Sequence, residues 1–434
     1  MKGIVISAPS SGSGKTLFTM GLIKVLKNLN YSIFPCKVGP DYIDTAFLGR
    51  VADFEGQNLD KFLQGNRFKQ VFDFSRDLCV IEGVMGYFDG IQNTFENSTF
   101  QIAEELNLNT ILVYTPKGEM FSAVPKIKGM VEFSNGNIKG IVLNKVSYGY
   151  YKLLKEAIEK YINIKVLGFI EEDDDLEIKS RHLGLIQNFE IEDFEIIVEK
   201  MAEKIRNNVD LSGLISLFKE INISCANLLR FEKTNLKAAV AYDKAFSFYY
   251  RENLEILRSI FDVEFFSPIR DKRLPDCDLL YIGGGYPEVF KEELSNNTAM
   301  LNSVREFVES GGHVFAECGG LMYLTREIDG YKMAGVFPGK SKMTEKLQNF
   351  GYVEAEILED CLIGEKGQGF KAHEFHKSVA DIFGQKYLKV KKAKGDRITY
   401  CGYQYKNAFG MYPHVSFLGS LTIIENILKN LRRE

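Results

Sequence analysis

In Ala316-Glu317-Cys318-Gly319-Gly320 a cysteine stands between an apolar run, His313 to Ala316, and a glycine pair that leads into Leu321-Met322-Tyr323-Leu324. A short buried strand turning sharply into a helix would present the sulfur at the turn, leave room for a tetrahedral adduct, and let backbone N–H groups favour thiolate. That pattern predicts covalent chemistry on an acyl group. A lone cysteine is more often a core residue, so partners are needed. Gly283-Gly284-Gly285-Tyr286-Pro287-Glu288 follows the apolar Leu279 to Ile282, and the N–H groups of Gly284 and Gly285 at a strand end can hold an oxyanion. The general base must come from five histidines. His414, late in the chain after Gly410, and the pair His373 and His376 are all candidates, and spacing does not choose between them.

A second chemistry is written at the N-terminus. Ser11-Gly12-Ser13-Gly14-Lys15-Thr16 lies between the strand-like Gly3 to Ala8 and a run with helical periodicity, the context that a phosphate-binding loop requires. Glycines admit phosphate oxygens to the backbone, Lys15 supplies a point charge, and the Thr16 hydroxyl suits Mg²⁺. Pro9 replaces the usual first glycine, as in the variant loops of dethiobiotin synthetase and MinD-like ATPases. Leu78 to Gly83 is an apolar strand ending in Glu82, a second candidate for Mg²⁺, and Asn144 at the end of Ile138 to Asn144 could read adenine. Lys37-Val38-Gly39-Pro40-Asp41-Tyr42-Ile43-Asp44 again sets polar groups at a strand's carboxyl end, where open α/β sheets bind ligands. Asp41 and Asp44 could hold Mg²⁺ or an acceptor, and Lys37 could neutralise phosphoryl charge.

These groups need sheets to position them. Up to about residue 205, strand-like runs (Gly3 to Ala8, Ser32 to Val38, Leu78 to Gly83, Thr110 to Tyr114, Ile138 to Asn144, Lys165 to Ile170) alternate with helical periodicity at Thr16 to Leu29 and Tyr151 to Tyr161. This predicts a parallel sheet covered by helices on both faces. Strand-like runs resume at Lys237 to Tyr242, Val263 to Phe266, Leu279 to Ile282 and His313 to Ala316. The expected organisation is a first domain over 1–205, a polar connection over 206–235 holding a short helix at Leu211 to Leu217, and a second α/β domain over 236–434.

Composition narrows the class. A chain of 434 residues exceeds one ordinary core, and 45% apolar content is globular. There is no apolar run of about 18 residues and no signal-peptide pattern, so the chain reads as cytosolic, without a membrane partner. A formal charge of −4 with no basic block gives no nucleic-acid footprint. Seven scattered cysteines without a CxxC pair argue against disulfides and structural zinc.

Taken together, the motifs resemble the cobyrinate a,c-diamide synthase family from end to end. The resemblance is carried by SGSGKT (11–16), KVGPDYID (37–44), NLD (58–60), IEGVMGYFDG (81–90), SRHLGL (180–185), DKAFSFYY (243–250), FFSPIRDKRLPDCDLLYIGGGYPE (265–288), FAECGGLMYL (315–324) and HEFHKS (373–378). It implies an N-terminal P-loop NTPase-type parallel sheet, dethiobiotin synthetase-like, and a C-terminal class I glutamine amidotransferase-like α/β domain. It assigns Cys318 as nucleophile and His414 as base. Ser416 stands where the family expects a second histidine, Thr45 replaces a proline, and no glutamate follows two residues after His414, which leaves the third triad member unassigned.

The reaction so implied is amidation of the a and c acetates of cobyrinate or hydrogenobyrinate in cobalamin biosynthesis. Cys318 attacks glutamine, Gly284 and Gly285 hold the oxyanion, and His414 protonates departing ammonia. ATP, bound by Ser11 to Thr16 and Asn144 with Mg²⁺ on Thr16, Asp41 and Glu82, activates the carboxylate as an acyl phosphate. Lys37, Tyr42, Asp44 and Arg181 are the substrate-side candidates for a polycarboxylate tetrapyrrole. Nickel-sirohydrochlorin is the alternative macrocycle. A MinD- or partition-type ATPase switch with an inactive glutaminase domain is the reading from another class. Oligomeric state is left open, a homodimer being one option.

Overall fold

The computed structural model describes residues 1–176, 193–223 and 231–432. Its two compact units are Met1–Lys61 with Phe68–Asn227, and Phe62–Arg67 with Leu228–Glu434.

The first unit is built on β1 (Lys2–Ser7), β2 (Ile33–Val38), β3 (Gln57–Leu59), β4 (Leu78–Glu82), β5 (Thr110–Tyr114), β6 (Ile138–Asn144), β7 (Lys165–Ile170) and β8 (Lys219–Glu220). The order β3-β2-β4-β1-β5-β6-β7 is parallel throughout, with β8 antiparallel to β1. β2, β4 and β5 are buried along their whole length, which is why they read as unbroken apolar runs rather than as alternation. Helix α1 (Lys15–Asn28) buries Phe18, Leu22, Val25 and Leu26, and α2 (Tyr42–Ala52) follows β2. The order β2-β4-β1 has a direct chemical result. Register pairs Lys37 with Glu82 and Ile6 with Glu82, so the carboxyl ends of three neighbouring strands converge on the loop that starts α1.

The segment 206–235, expected as a polar connection, differs in its first half. It completes the helix Phe194–Asn208 and contributes the helix Leu211–Ser216 and β8 to the first unit. Leu214, Phe218 and Ile221 are buried there, and the short helix expected at Leu211 to Leu217 is present as Leu211–Ser216.

The second unit holds β9 (Lys237–Ala241), β10 (Phe246–Phe248), β11 (Asp262–Phe266), β12 (Leu279–Ile282), β13 (Gly284–Gly285) and β14 (His313–Glu317). It continues through β15 (Glu327–Ile328), β16 (Tyr331–Lys332), β17 (Gly339–Met343), β18 (Asn349–Ile357), β19 (Gly369–His376), β20 (Ser378–Ile382), β21 (Leu388–Lys392), β22 (Ile398–Cys401), β23 (Tyr403–Tyr405) and β24 (Ala408–Met411). The central sheet runs β11-β9-β12-β14-β24-β23, parallel except for the β23–β24 hairpin. Two four-stranded sheets, β16-β15-β17-β20 and β19-β18-β21-β22, were not anticipated. In β18, Val353, Ala355 and Ile357 are buried and alternate with exposed Glu354 and Glu356, a half-buried pattern. No helix among the described residues is long and apolar enough to cross a membrane.

Candidate active sites

In the first unit, the phosphate-loop candidates fall on the turn from β1 to α1. Gly14 caps α1 in the left-handed region (φ 80°), and a Cβ there would lie 2.4 Å from Asn144 Nδ2. Glycine is required on both counts. Asn144 Nδ2 donates to the Ser13 carbonyl at 2.9 Å, and Thr115 Oγ1 donates to the same oxygen at 3.0 Å. Asn144 therefore braces the loop while lining its cavity. Ser13 Oγ donates to the Ser10 carbonyl at 2.9 Å. Gly12, Gly14, Lys15, Thr16 and Asn144 line a cavity of ≈ 280 Å³.

At its edge sits a charged cluster. Thr16 Oγ1 donates to Glu82 Oε1 at 2.6 Å, and Lys37 Nζ reaches Glu82 Oε1 at 2.8 Å and Asp44 Oδ2 at 2.5 Å. Burial alone would lower the Lys37 pKa, but Asp44, Glu82 and Asp41 outweigh it and hold the ammonium charged. Burial lowers Lys15, and Lys37 lowers it further. Burial likewise raises Glu82, Asp44 adding to the shift. Glu82 Oε2 is buried without a hydrogen-bond partner, a cost that a bound cation would remove.

Asp41, expected as a metal ligand, is the N-cap of α2. Its Oδ1 accepts the N–H groups of Ile43 and Asp44, each at 3.0 Å. Burial and the neighbouring Asp44 push its pKa up to about 7, against the downward pull of Lys37 and of the capping N–H of Asp44. Asp44 takes the inward position: burial opposes ionisation, yet Lys37 holds its pKa down. Tyr42 is the first residue of α2. Arg181 lies outside the described residues.

Asn58, of the NLD motif, fastens the start of α2. Its Nδ2 donates to the Gly39 and Asp41 carbonyls at 2.8 and 2.9 Å and to Thr45 Oγ1 at 3.1 Å. Thr45 Oγ1 in turn donates to the Asp41 carbonyl. The threonine that departs from the family pattern thus ties the first turn of α2 to β3.

In the second unit, Cys318 occupies the turn between β14 and the helix Gly319–Leu324 with φ 47°. A positive φ in a non-glycine residue is strained and marks functional turns. Cys318 N–H donates to the Met411 carbonyl at 2.7 Å, which joins the nucleophile turn to the segment leading to His414. His414 and His373 exchange backbone hydrogen bonds, 2.8 and 2.9 Å, in an isolated antiparallel bridge. This separates the histidine candidates. His373 supports the His414 backbone, while His376 Nδ1 is satisfied by the Ser378 carbonyl at 2.9 Å and its ring stacks on Tyr412.

The glycine turn packs against both groups. A Cβ on Gly284 would lie 2.4 Å from His414 Cε1, and one on Gly319 would lie 3.1 Å from the Gly285 nitrogen. Gly284 and Gly285 form β13, paired with β10. The Gly283 N–H donates to Tyr249 Oη at 2.8 Å, and Tyr249 donates onward to the Ala241 carbonyl. Tyr249 lies in the DKAFSFYY motif, which carried the signal without revealing the role.

The support behind His414 is a backbone clamp. Glu317 Oε1 accepts the Val415 N–H at 2.9 Å while Oε2 accepts the Tyr281 hydroxyl at 2.8 Å. Asn253 holds the Val415 carbonyl at 2.8 Å and the Phe417 N–H at 2.7 Å. Ser416, at the position of the expected second histidine, donates to Glu252 Oε1 at 2.8 Å.

Burial acts on both members of the Cys318–His414 pair. Burial, then the Glu288 carboxylate, raises the Cys318 pKa, against a downward pull from the Gly319 N–H. Burial, then His373 and His376, lowers the His414 pKa to about 3. Both groups therefore rest neutral, and the proton must move as substrate is attacked.

With this geometry in place, comparison with known proteins is informative. Residues 4–186 match the CobQ/CobB/MinD/ParA nucleotide binding domain, and residues 237–421 match the CobB/CobQ-like glutamine amidotransferase domain. The chain is similar to proteins named cobyrinate a,c-diamide synthase in Clostridium tetani (45% identical, 99% of this chain and 100% of that one) and Clostridium acetobutylicum (42%, 99% and 100%). A third, in Caldanaerobacter subterraneus, is 41% identical over 95% of this chain and 94% of its own length.

Proposed function

Because the chain belongs to the cobyrinate a,c-diamide synthase family, we propose that it amidates the a and c acetate side chains of cobyrinate in cobalamin biosynthesis, using ATP and taking nitrogen from glutamine. The observation that carries this reading is the strained Cys318 turn packed with the Gly284–His414 contact, in a chain that also bears a phosphate loop.

In the glutaminase half, Cys318 Sγ attacks the glutamine carboxamide as its proton passes to the neutral His414 imidazole, and Gly284 and Gly285 face the developing oxyanion. His414 then protonates the leaving nitrogen, and water releases glutamate from the thioester. In the ligase half, a carboxylate is a poor electrophile at neutral pH, so the substrate acetate takes the γ-phosphoryl of ATP, releasing ADP, and ammonia then attacks the acyl phosphate, forming the amide and expelling inorganic phosphate. Lys15 and Lys37 offset charge on the transferring phosphoryl, and the backbone of Ser11 to Gly14 cradles the phosphates.

The donor set at Thr16 and Glu82 fits Mg²⁺. Mg²⁺ typically takes one or two carboxylates and completes its shell with phosphates and water. When bound it would supply charge neutralisation at the phosphates. Tyr42 and Asp44 are the proposed substrate contacts. ADP formation that requires both a tetrapyrrole acid and a nitrogen donor supports the reading. Glutamine-independent ATP turnover stimulated by membrane or DNA would instead favour a switch ATPase, and preference for nickel-sirohydrochlorin over cobyrinate would change the macrocycle.

A further inference from the structure

Glu288 is a half-buried carboxyl on the turn that packs against the helix following the nucleophile. It ends the Gly283-Gly284-Gly285-Tyr286-Pro287 turn, whose Gly284 abuts His414 and whose Pro287 abuts the residue after Cys318: a Cβ on Gly319 would lie 2.9 Å from Pro287 Cδ. Apart from its own backbone N–H, the Glu288 side chain makes no ion pair or hydrogen bond with the described residues. The cation closest in sequence, Lys291, is taken by Asp329 at 2.9 Å. Burial pushes the Glu288 pKa up to about 7, Asp329 adding to this and Lys291 opposing it. After burial itself, Glu288 is the largest influence holding up the Cys318 thiol. A half-buried carboxylate that lacks a counter-charge and opposes the nucleophile is costly in the free protein. A ligand carrying a cation would offset both costs.

Glutamine carries such a cation, an α-ammonium a few bonds from the carboxamide that Cys318 attacks. Resting on the glutaminase reading above, we propose that Glu288 is the α-ammonium subsite, pairing with L-glutamine and selecting it against amides that lack the amino group. Pairing also removes the Glu288 field from Cys318, so the substrate that binds correctly makes its own nucleophile easier to ionise. Selectivity and activation are then one event. Free amides and asparagine-like side chains of proteins, which cannot place an ammonium there, meet an unreactive thiol.

The test compares hydrolysis of L-glutamine and of 4-carbamoylbutanoate, the same amide without the α-amino group, by the full-length chain. The wild type is expected to prefer glutamine by at least ~10²-fold in kcat/KM, the scale of a charge-assisted pair. In Glu288→Gln the preference should collapse to within a few-fold, through loss with glutamine, and Glu288→Asp should restore part of it. Equal use of both amides by the wild type would overturn the subsite, a result that needs no variant to fold. So would an equal loss on both amides in Glu288→Gln, which would mark a structural role. Hydrolysis of neither amide by the wild type would overturn the glutaminase reading and the subsite with it.

Discussion

Gly284 and His414 are in contact so close that a Cβ on the glycine would lie 2.4 Å from the imidazole Cε1. The missing side chain thereby makes room for the imidazole proposed as base. The same glycine faces the oxyanion in the proposed reaction, so one backbone position serves both partners of the nucleophile.

It follows that Gly284→Ala should displace the imidazole. A misplacement of ~1 Å costs on the order of 10²-fold in rate, and glutamine-dependent turnover should fall by about that much while ammonia-dependent amidation persists. Steady-state rates with the two nitrogen donors check this. An unchanged glutamine rate would show that His414 is not the base.

Tyr249 joins the Gly283 N–H to the Ala241 carbonyl through its hydroxyl. Tyr249→Phe leaves two buried backbone groups unpaired, a loss of roughly 1–3 kcal/mol each at most. The expected outcome is a lower denaturant midpoint and a glutaminase kcat reduced more than its KM changes. Unaltered kcat with lowered stability would limit Tyr249 to the fold.

At the phosphate loop, Glu82 binds Thr16 and Lys37 at once. Glu82→Gln keeps the shape and removes the charge. The Mg²⁺ concentration needed for half-maximal ATP turnover should rise roughly 10–100-fold, the cost typical of disturbed metal environments. Glutamine hydrolysis alone, assayed on the same protein, should not follow the metal dependence.

Acid stability has a definite sign. Burial lowers His373 and His414 to about 3 from an ordinary value of 6.5, so between those pH values the unfolded chain binds more protons than the folded one. Stability therefore falls as pH drops from 6.5 toward 3, by up to ~1.4 kcal/mol per pH unit for each group. Thermal melts from pH 7 to pH 5 should show the decline, and His373→Gln should flatten it. A melting temperature unchanged across that range would contradict buried neutral histidines.

Much of this architecture is legible in the sequence, for a physical reason. Fully buried parallel strands such as Leu78–Glu82 and Thr110–Tyr114 are continuous apolar runs, and the glycines at Gly14 and Gly284 stand where a side chain would collide. What was hidden depends on contacts between segments distant in the chain. The clamp of Glu317 and Asn253 on Val415 and Phe417 spans positions that no local pattern connects. The capping role of Asp41 was hidden because a carboxylate at a strand end reads as ligand and as helix cap alike, and its bonds to Ile43 and Asp44 show only in the folded chain. The charge of Cys318 was not legible because a helix N-terminus argues for thiolate, while burial and Glu288 argue against it.

The central claim, ammonia made at Cys318 and consumed at an acyl phosphate, is tested most directly by product mass with a Cys318→Ser variant. Incubated with cobyrinate, ATP and Mg²⁺, the wild type should give two successive mass changes, each an OH replaced by NH₂, with either glutamine or ammonia as donor. Cys318→Ser should give the same diamide with ammonia and none with glutamine. Diamide formation by the variant from glutamine, or failure of the wild type to amidate with ammonia, would contradict the account.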